Sequence, residues 1–185
     1  MNKLLSLLLL LPLPASSSEL FHTHVSMQCM KEKECTVGVV EVELEGKQAE
    51  SREILNNLNE IGVEVYRAIP QYFKKEFRAV YYSDKKLIFI NMGYVYNKND
   101  LLEVLRHEGW HVAQDCEAGF DSPELTPIYE YSEVPQKFKD DALERYGFDP
   151  FVIKIETEAI WAMYTPKMTI NELEKCKKVI TYEKG

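Results

Sequence analysis

Residues 99–116, NDLLEVLRHEGWHVAQDC, carry the pattern from which the rest of the chain can be read. His107, Glu108 and His111 form an H-E-x-x-H. On a helix, residues four apart lie one turn above each other, so both imidazoles can reach one metal ion. Glu108 falls about 100° further round the helix, beside the ion rather than on it. A carboxylate there can take a proton from a metal-activated water. The motif needs a helix, and its surroundings supply one. Leu101, Leu105, Val112 and Cys116 make an apolar stripe, with Leu102, Val104 and Ala113 beside it. His107 and His111 lie on its flank with Val104 and Gln114. Asn99 or Asp100 is the expected N-cap, with Glu103 as capping-box partner. Gly109 costs about 1 kcal/mol against alanine inside a helix, which points to another backbone passing close by.

Upstream of the motif, Arg78 to Tyr82, Ser83-Asp84-Lys85-Lys86 and Leu87 to Asn91 read as a β-hairpin leading into this helix. Gln48 to Ile61 has Ile54, Leu55, Leu58 and Ile61 at helical spacing, and Gly62 ends it. Thr36 to Glu45 reads as a strand. Val63 to Ala68 fits either a strand or the start of a second helical stretch through Tyr72 and Phe77. Downstream, Gly119, Pro123, Pro127 and Pro135 punctuate a long connection, of the kind that is more often functional than idle. Gln136 to Tyr146 reads as a helix stopped by Gly147. Asp149 and Pro150 open another, which runs to Tyr164 before Pro166. Thr169 is expected to cap a last amphipathic helix through Ile180. The expectation is an α+β fold with a small, mostly antiparallel sheet packed on the H-E-x-x-H helix and further helices towards the C-terminus.

The chain has 185 residues and a formal net charge of -8. An acidic chain without a basic patch is not built for nucleic acid. Residues 1–18 read as a signal peptide: Met1-Asn2-Lys3, a leucine run too short to span a bilayer, then Pro12 to Ser18, with cleavage near residues 15–18. Residues 19–185 then form a single domain, secreted or periplasmic, with no stable membrane span after cleavage. His22 and His24 fall in a polar N-terminal stretch that reads as flexible. Four cysteines in a secreted chain suggest two disulfides, and Cys29–Cys35 with Cys116–Cys176 is the preferred pairing. Nothing in the sequence sets the oligomeric state.

A catalytic zinc takes three protein ligands and keeps an open position. Metzincins extend the motif to H-E-x-x-H-x-x-G-x-x-H, but here Gln114 replaces the glycine and Glu117 the last histidine. The better source is residues 151–164, apolar almost all round and therefore buried, which carry Glu156 and Glu158. A buried glutamate is costly unless it is paired or bound to metal.

His107-Glu108-Gly109-Trp110-His111 followed by Glu156-Thr157-Glu158-Ala159 resembles the gluzincin group of zinc metallopeptidases, most closely its small single-domain members. The resemblance covers roughly residues 80–165. It implies a zincin-like fold and one Zn2+ per chain held by His107, His111 and Glu156, with Glu158 the alternative third ligand. It further implies hydrolysis of peptide bonds in a protein or peptide substrate, with a zinc-activated water and Glu108 as general base. The same resemblance makes Leu87, Ile88, Phe89 and Ile90 an edge strand that binds substrate as an added strand. Many gluzincins place an aspartate four residues after the ligand glutamate, whereas position 160 here is Ile. The histidines then need another acceptor, and Asp115, Asp121 or a backbone carbonyl are the candidates. Tyr164 and Tyr94 are candidate donors to the scissile carbonyl oxygen. The rival readings are a metal- or partner-binding domain without catalysis, and a peptidase acting on peptidoglycan cross-links.

Overall fold

The computed structural model describes residues 36–37, 47–73, 77–94 and 98–183. The signal peptide, His22 and His24, the Cys29–Cys35 pair and the strand reading beyond Val37 lie outside the described residues. The strands are β1 (Thr36–Val37), β2 (Glu64–Ala68), β3 (Ala79–Tyr82) and β4 (Leu87–Asn91). The helices are α1 (Lys47–Ile61), α2 (Lys98–Glu117), α3 (Gln136–Tyr146), α4 (Pro150–Tyr164) and α5 (Met168–Glu183). This is an α+β arrangement. The ambiguous stretch after Gly62 resolves as strand β2, followed by a short 3-10 turn at Pro70–Tyr72.

The sheet order is β1-β2-β4-β3. β1 with β2 and β3 with β4 are antiparallel, while β2 and β4 run parallel, so the sheet is mixed. β4 therefore lies inside the sheet, with both hydrogen-bonding edges taken. This corrects the expectation that Leu87, Ile88, Phe89 and Ile90 form an edge strand open to a peptide. Its side chains say the same. Ile88 and Ile90 pack against the helices, whereas Phe89 packs on the other face with Tyr66, Tyr72 and Phe73. A strand buried on both faces reads as a continuous apolar run, which is what Leu87 to Ile90 is. β3 is the outer strand on this side of the sheet.

The main core joins Ile54 and Leu58 of α1, Leu105 and Val112 of α2, and Leu173 of α5 to that sheet face. α4 crosses α2 on its other side and buries residues all round, including Ile155, Glu156, Glu158 and Ile160. Asp149 caps α4 by accepting from Phe151 and Val152 N–H at 2.9 and 3.0 Å, with Pro150 in the first turn. Two other caps differ from expectation. α2 already begins at Lys98, so Asn99 and Asp100 sit in its first turn, and Glu103 instead faces Arg78 at 3.7 Å. α5 begins at Met168, and the Thr169 hydroxyl donates to the Arg106 carbonyl at 2.8 Å. That threonine also explains Gly109. A Cβ on Gly109 would sit 2.8 Å from Thr169 Cγ2, so a side chain, not a backbone, demands the glycine.

Two links fix α2 among its neighbours. Arg106 forks onto Glu50 of α1 at 2.8 and 2.7 Å and donates to the Met163 carbonyl of α4. Cys116 is bonded to Cys176 of α5, a pairing anticipated from the sequence, with Cα atoms 6.0 Å apart across a sequence separation of 60. Closing a loop of this length typically contributes about 2–4 kcal/mol. The double variant Cys116→Ser/Cys176→Ser is expected to melt roughly 5–15 °C lower than the parent in a thermal scan. An unchanged melting temperature would show that the bridge adds nothing.

Candidate metal centre

His107 and His111 project from the middle of α2 towards α4, and Glu156 projects back from the second turn of α4. The three donor atoms converge. His107 Nε2 lies 3.2 Å from His111 Nε2 and 3.3 Å from Glu156 Oε2, and His111 Nε2 lies 3.7 Å from Glu156 Oε1. A tetrahedral ion with ligand distances of about 2.0–2.1 Å needs donor atoms roughly 3.3 Å apart. The observed separations suit such an ion better than they suit mutual hydrogen bonds, because Glu156 Oε2 is buried without a well-formed partner. Together the three residues form a group that can hold a metal ion.

Electrostatics within the group follow from burial. Burial pushes both imidazoles towards the neutral form; at His107 the adjacent Glu156 outweighs it and raises the pKa, while His111 stays lowered. Burial alone would raise Glu156, but His111, His107 and the Tyr146 hydroxyl hold it below the ordinary carboxylate value. Glu108 is not one of the three donors. Burial pushes its pKa up to about 7, against a smaller lowering by His107, and it accepts the Tyr81 backbone N–H. That amide belongs to the outer strand β3, so the sheet edge meets the motif at Glu108.

Glu156, the expected third ligand, and Glu158, its alternative, are separated by their surroundings. Glu158 points away from the histidines. Its carboxylate accepts from Trp110 Nε1 at 3.1 Å, Gln114 Nε2 at 2.9 Å, Ile128 N at 3.0 Å and Tyr129 N at 2.7 Å. It is fully engaged in holding the 118–135 connection against α2 and α4. The metzincin position Glu117 is exposed at the end of α2.

Other residues around the group were not singled out by sequence. Tyr146, at the end of α3, bonds to Glu156 through its hydroxyl, and burial with the nearby Glu156 charge raises its pKa well above the ordinary tyrosine value. It therefore stays a donor. Tyr164 instead is half exposed and stacks on Phe138. Gln114 Oε1 lies 2.9 Å from His111 Nδ1, so the acceptor for that histidine is neither Asp115 nor Asp121. Asp115 accepts the Tyr81 hydroxyl at 2.6 Å, and Asp121 is exposed. Gln114 stands three residues after His111, a spacing that shares a helix face and was open to reading. Tyr146 carried no such signal, because only the packing of α3 on α4 brings it in.

No protein-family model, no curated protein and no solved structure matches the chain. What the fold and the site define is an α+β chain with a group of half-buried His107 and buried His111 and Glu156 able to hold a metal ion. Among the described residues no helix is long and apolar enough to cross a membrane.

Proposed function

We propose that this chain is a secreted or periplasmic zinc-dependent peptidase. The single observation that carries the reading is the convergence of His107, His111 and Glu156, with the carboxylate of Glu108 beside them on the same helix. Zinc suits two imidazoles and one carboxylate, a set that leaves a fourth position open. A bound zinc ion supplies a Lewis acid and brings the pKa of water towards neutrality. The chain's own groups do the rest. Glu108 accepts a proton from the attacking water and returns it to the leaving amine. Tyr146, whose hydroxyl donates to Glu156, would hold that carboxylate in place for the ion. The Tyr81 amide points outward from β3 to Glu108, so a substrate peptide that adds to that edge brings its backbone to the reacting groups. The leader-like residues 1–18 and the Cys116–Cys176 bridge support an oxidising, extracytoplasmic setting.

The test is metal content and hydrolysis together. The purified chain is expected to hold one zinc per chain by elemental analysis and to cleave an unfolded protein substrate. A chelator such as 1,10-phenanthroline abolishes the cleavage, and added zinc restores it. Purified peptidoglycan, run in parallel, decides whether the peptides cut are wall cross-links. A chain that binds no metal under any of these conditions overturns the proposal.

A further inference from the structure

We infer that Gln114 and Glu158 form a positioning relay that fixes the tautomer of His111 and so presents its Nε2 lone pair to the metal. The inference rests on the metal reading above and adds the residues that orient one ligand.

The chain of contacts begins at Glu158, whose two oxygens face four donors. Gln114 Nε2 is one of them, at 2.9 Å, and it also lies 3.1 Å from the Ile155 carbonyl. Two acceptors on one side of the amide leave no choice for its orientation: the nitrogen must face them, and the oxygen must face His111. Gln114 Oε1 is an acceptor only, so at 2.9 Å it demands a proton on His111 Nδ1. A neutral imidazole with its proton on Nδ1 has its lone pair on Nε2. That nitrogen is the one 3.2 Å from His107 Nε2 and 3.7 Å from Glu156 Oε1.

The geometry of two helices produces this. Trp110 and Gln114 are four apart on α2 and meet Glu158, while His107 and His111 are four apart and meet Glu156. Adjacent faces of α2 thus meet two glutamates two residues apart on α4, one for the metal and one for the amide. The same Glu158 carboxylate takes the backbone N–H groups of Ile128 and Tyr129. The connection after α2 and the orientation of His111 therefore share one anchor. Gln114 and Glu158 are both buried, which shields these contacts from bulk solvent. Outer partners of this kind change metal affinity by about 10–100-fold when removed.

The experiment has two readouts on the full mature chain. Long-range 1H–15N correlation spectra of the chelator-treated protein report the tautomer of each histidine directly. His111 is expected with its proton on Nδ1 in the parent. In Gln114→Met, which keeps the volume and removes both amide contacts, that preference is expected to be lost. Zinc affinity, measured by competition with a chromophoric chelator, is expected to fall about 10–100-fold in Gln114→Met. A parent His111 with its proton on Nε2 overturns the relay whether or not the variant folds. A folded Gln114→Met with unchanged zinc affinity overturns it as well. A parent that shows the Nδ1 tautomer but binds no zinc upholds the relay and removes the metal reading, so the two failures are distinct.

Discussion

Replacing Glu108 with glutamine is expected to lower the rate of peptide hydrolysis by about 100- to 10,000-fold while leaving one zinc per chain in place. The two halves of this result have different origins. Metal retention follows because Glu108 is not among the three converging donors. The loss of rate follows because glutamine cannot accept the proton that the attacking water must give up. The substitution itself should be well tolerated. Glu108 is buried and its pKa is pushed up to about 7, so its charge carries a desolvation cost that glutamine lacks. The glutamine oxygen can still accept the Tyr81 N–H. The measurement is kcat on an unfolded protein substrate beside elemental analysis of the same sample. Wild-type kcat in a zinc-loaded Glu108→Gln protein would remove the general-base role. Joint loss of zinc and activity would instead make Glu108 part of the metal site.

How much of this was legible beforehand divides along physical lines. The helix at 98–117 was, because its stripe and its H-E-x-x-H both follow from one period, and helical period is written locally. The Cys116–Cys176 link was also within reach, since few pairings exist among four cysteines. The rank of the strands was not read correctly. The resemblance to gluzincins makes Leu87 to Ile90 an edge strand, but a place beside the H-E-x-x-H helix in sequence says little about which strands flank it. The continuous apolar run was the available sign that it is covered on both faces. The resemblance put the third ligand at Glu156, and the structure does bring Glu156 to the two histidines, but the residues alone could not divide the labour between Glu156 and Glu158. The two are about 200° apart around α4, and which of them faces His107 depends on how that helix is rotated against α2. Rotation is set by distant residues, among them Trp110, Gln114 and the backbone at Ile128 and Tyr129.

Those surroundings make the two glutamates separable by experiment, and their variants are expected to fail in opposite ways. Glu156→Gln should leave a folded chain, because glutamine can still accept the Tyr146 hydroxyl and the site loses a buried charge rather than a packing element. Its zinc affinity should fall by more than about 100-fold, beyond what the loss of an outer partner causes. Glu158→Ala should behave as a structural lesion. It leaves the Trp110 indole, the Gln114 amide and two backbone N–H groups buried without their acceptor. Stranding the partners of a buried charge costs roughly 3–5 kcal/mol. For a chain of this length, about 2–4 °C of melting temperature per kcal/mol puts the fall near 6–20 °C. Thermal scans of the metal-free proteins and zinc titrations of the same samples read both effects. If Glu158→Ala keeps its melting temperature and loses zinc, while Glu156→Gln keeps zinc, the roles are reversed and the metal group must be drawn with Glu158. Retention of zinc by both variants would mean that the two histidines bind the ion without a glutamate from α4, and the crossing of α4 over α2 would then have only a packing role.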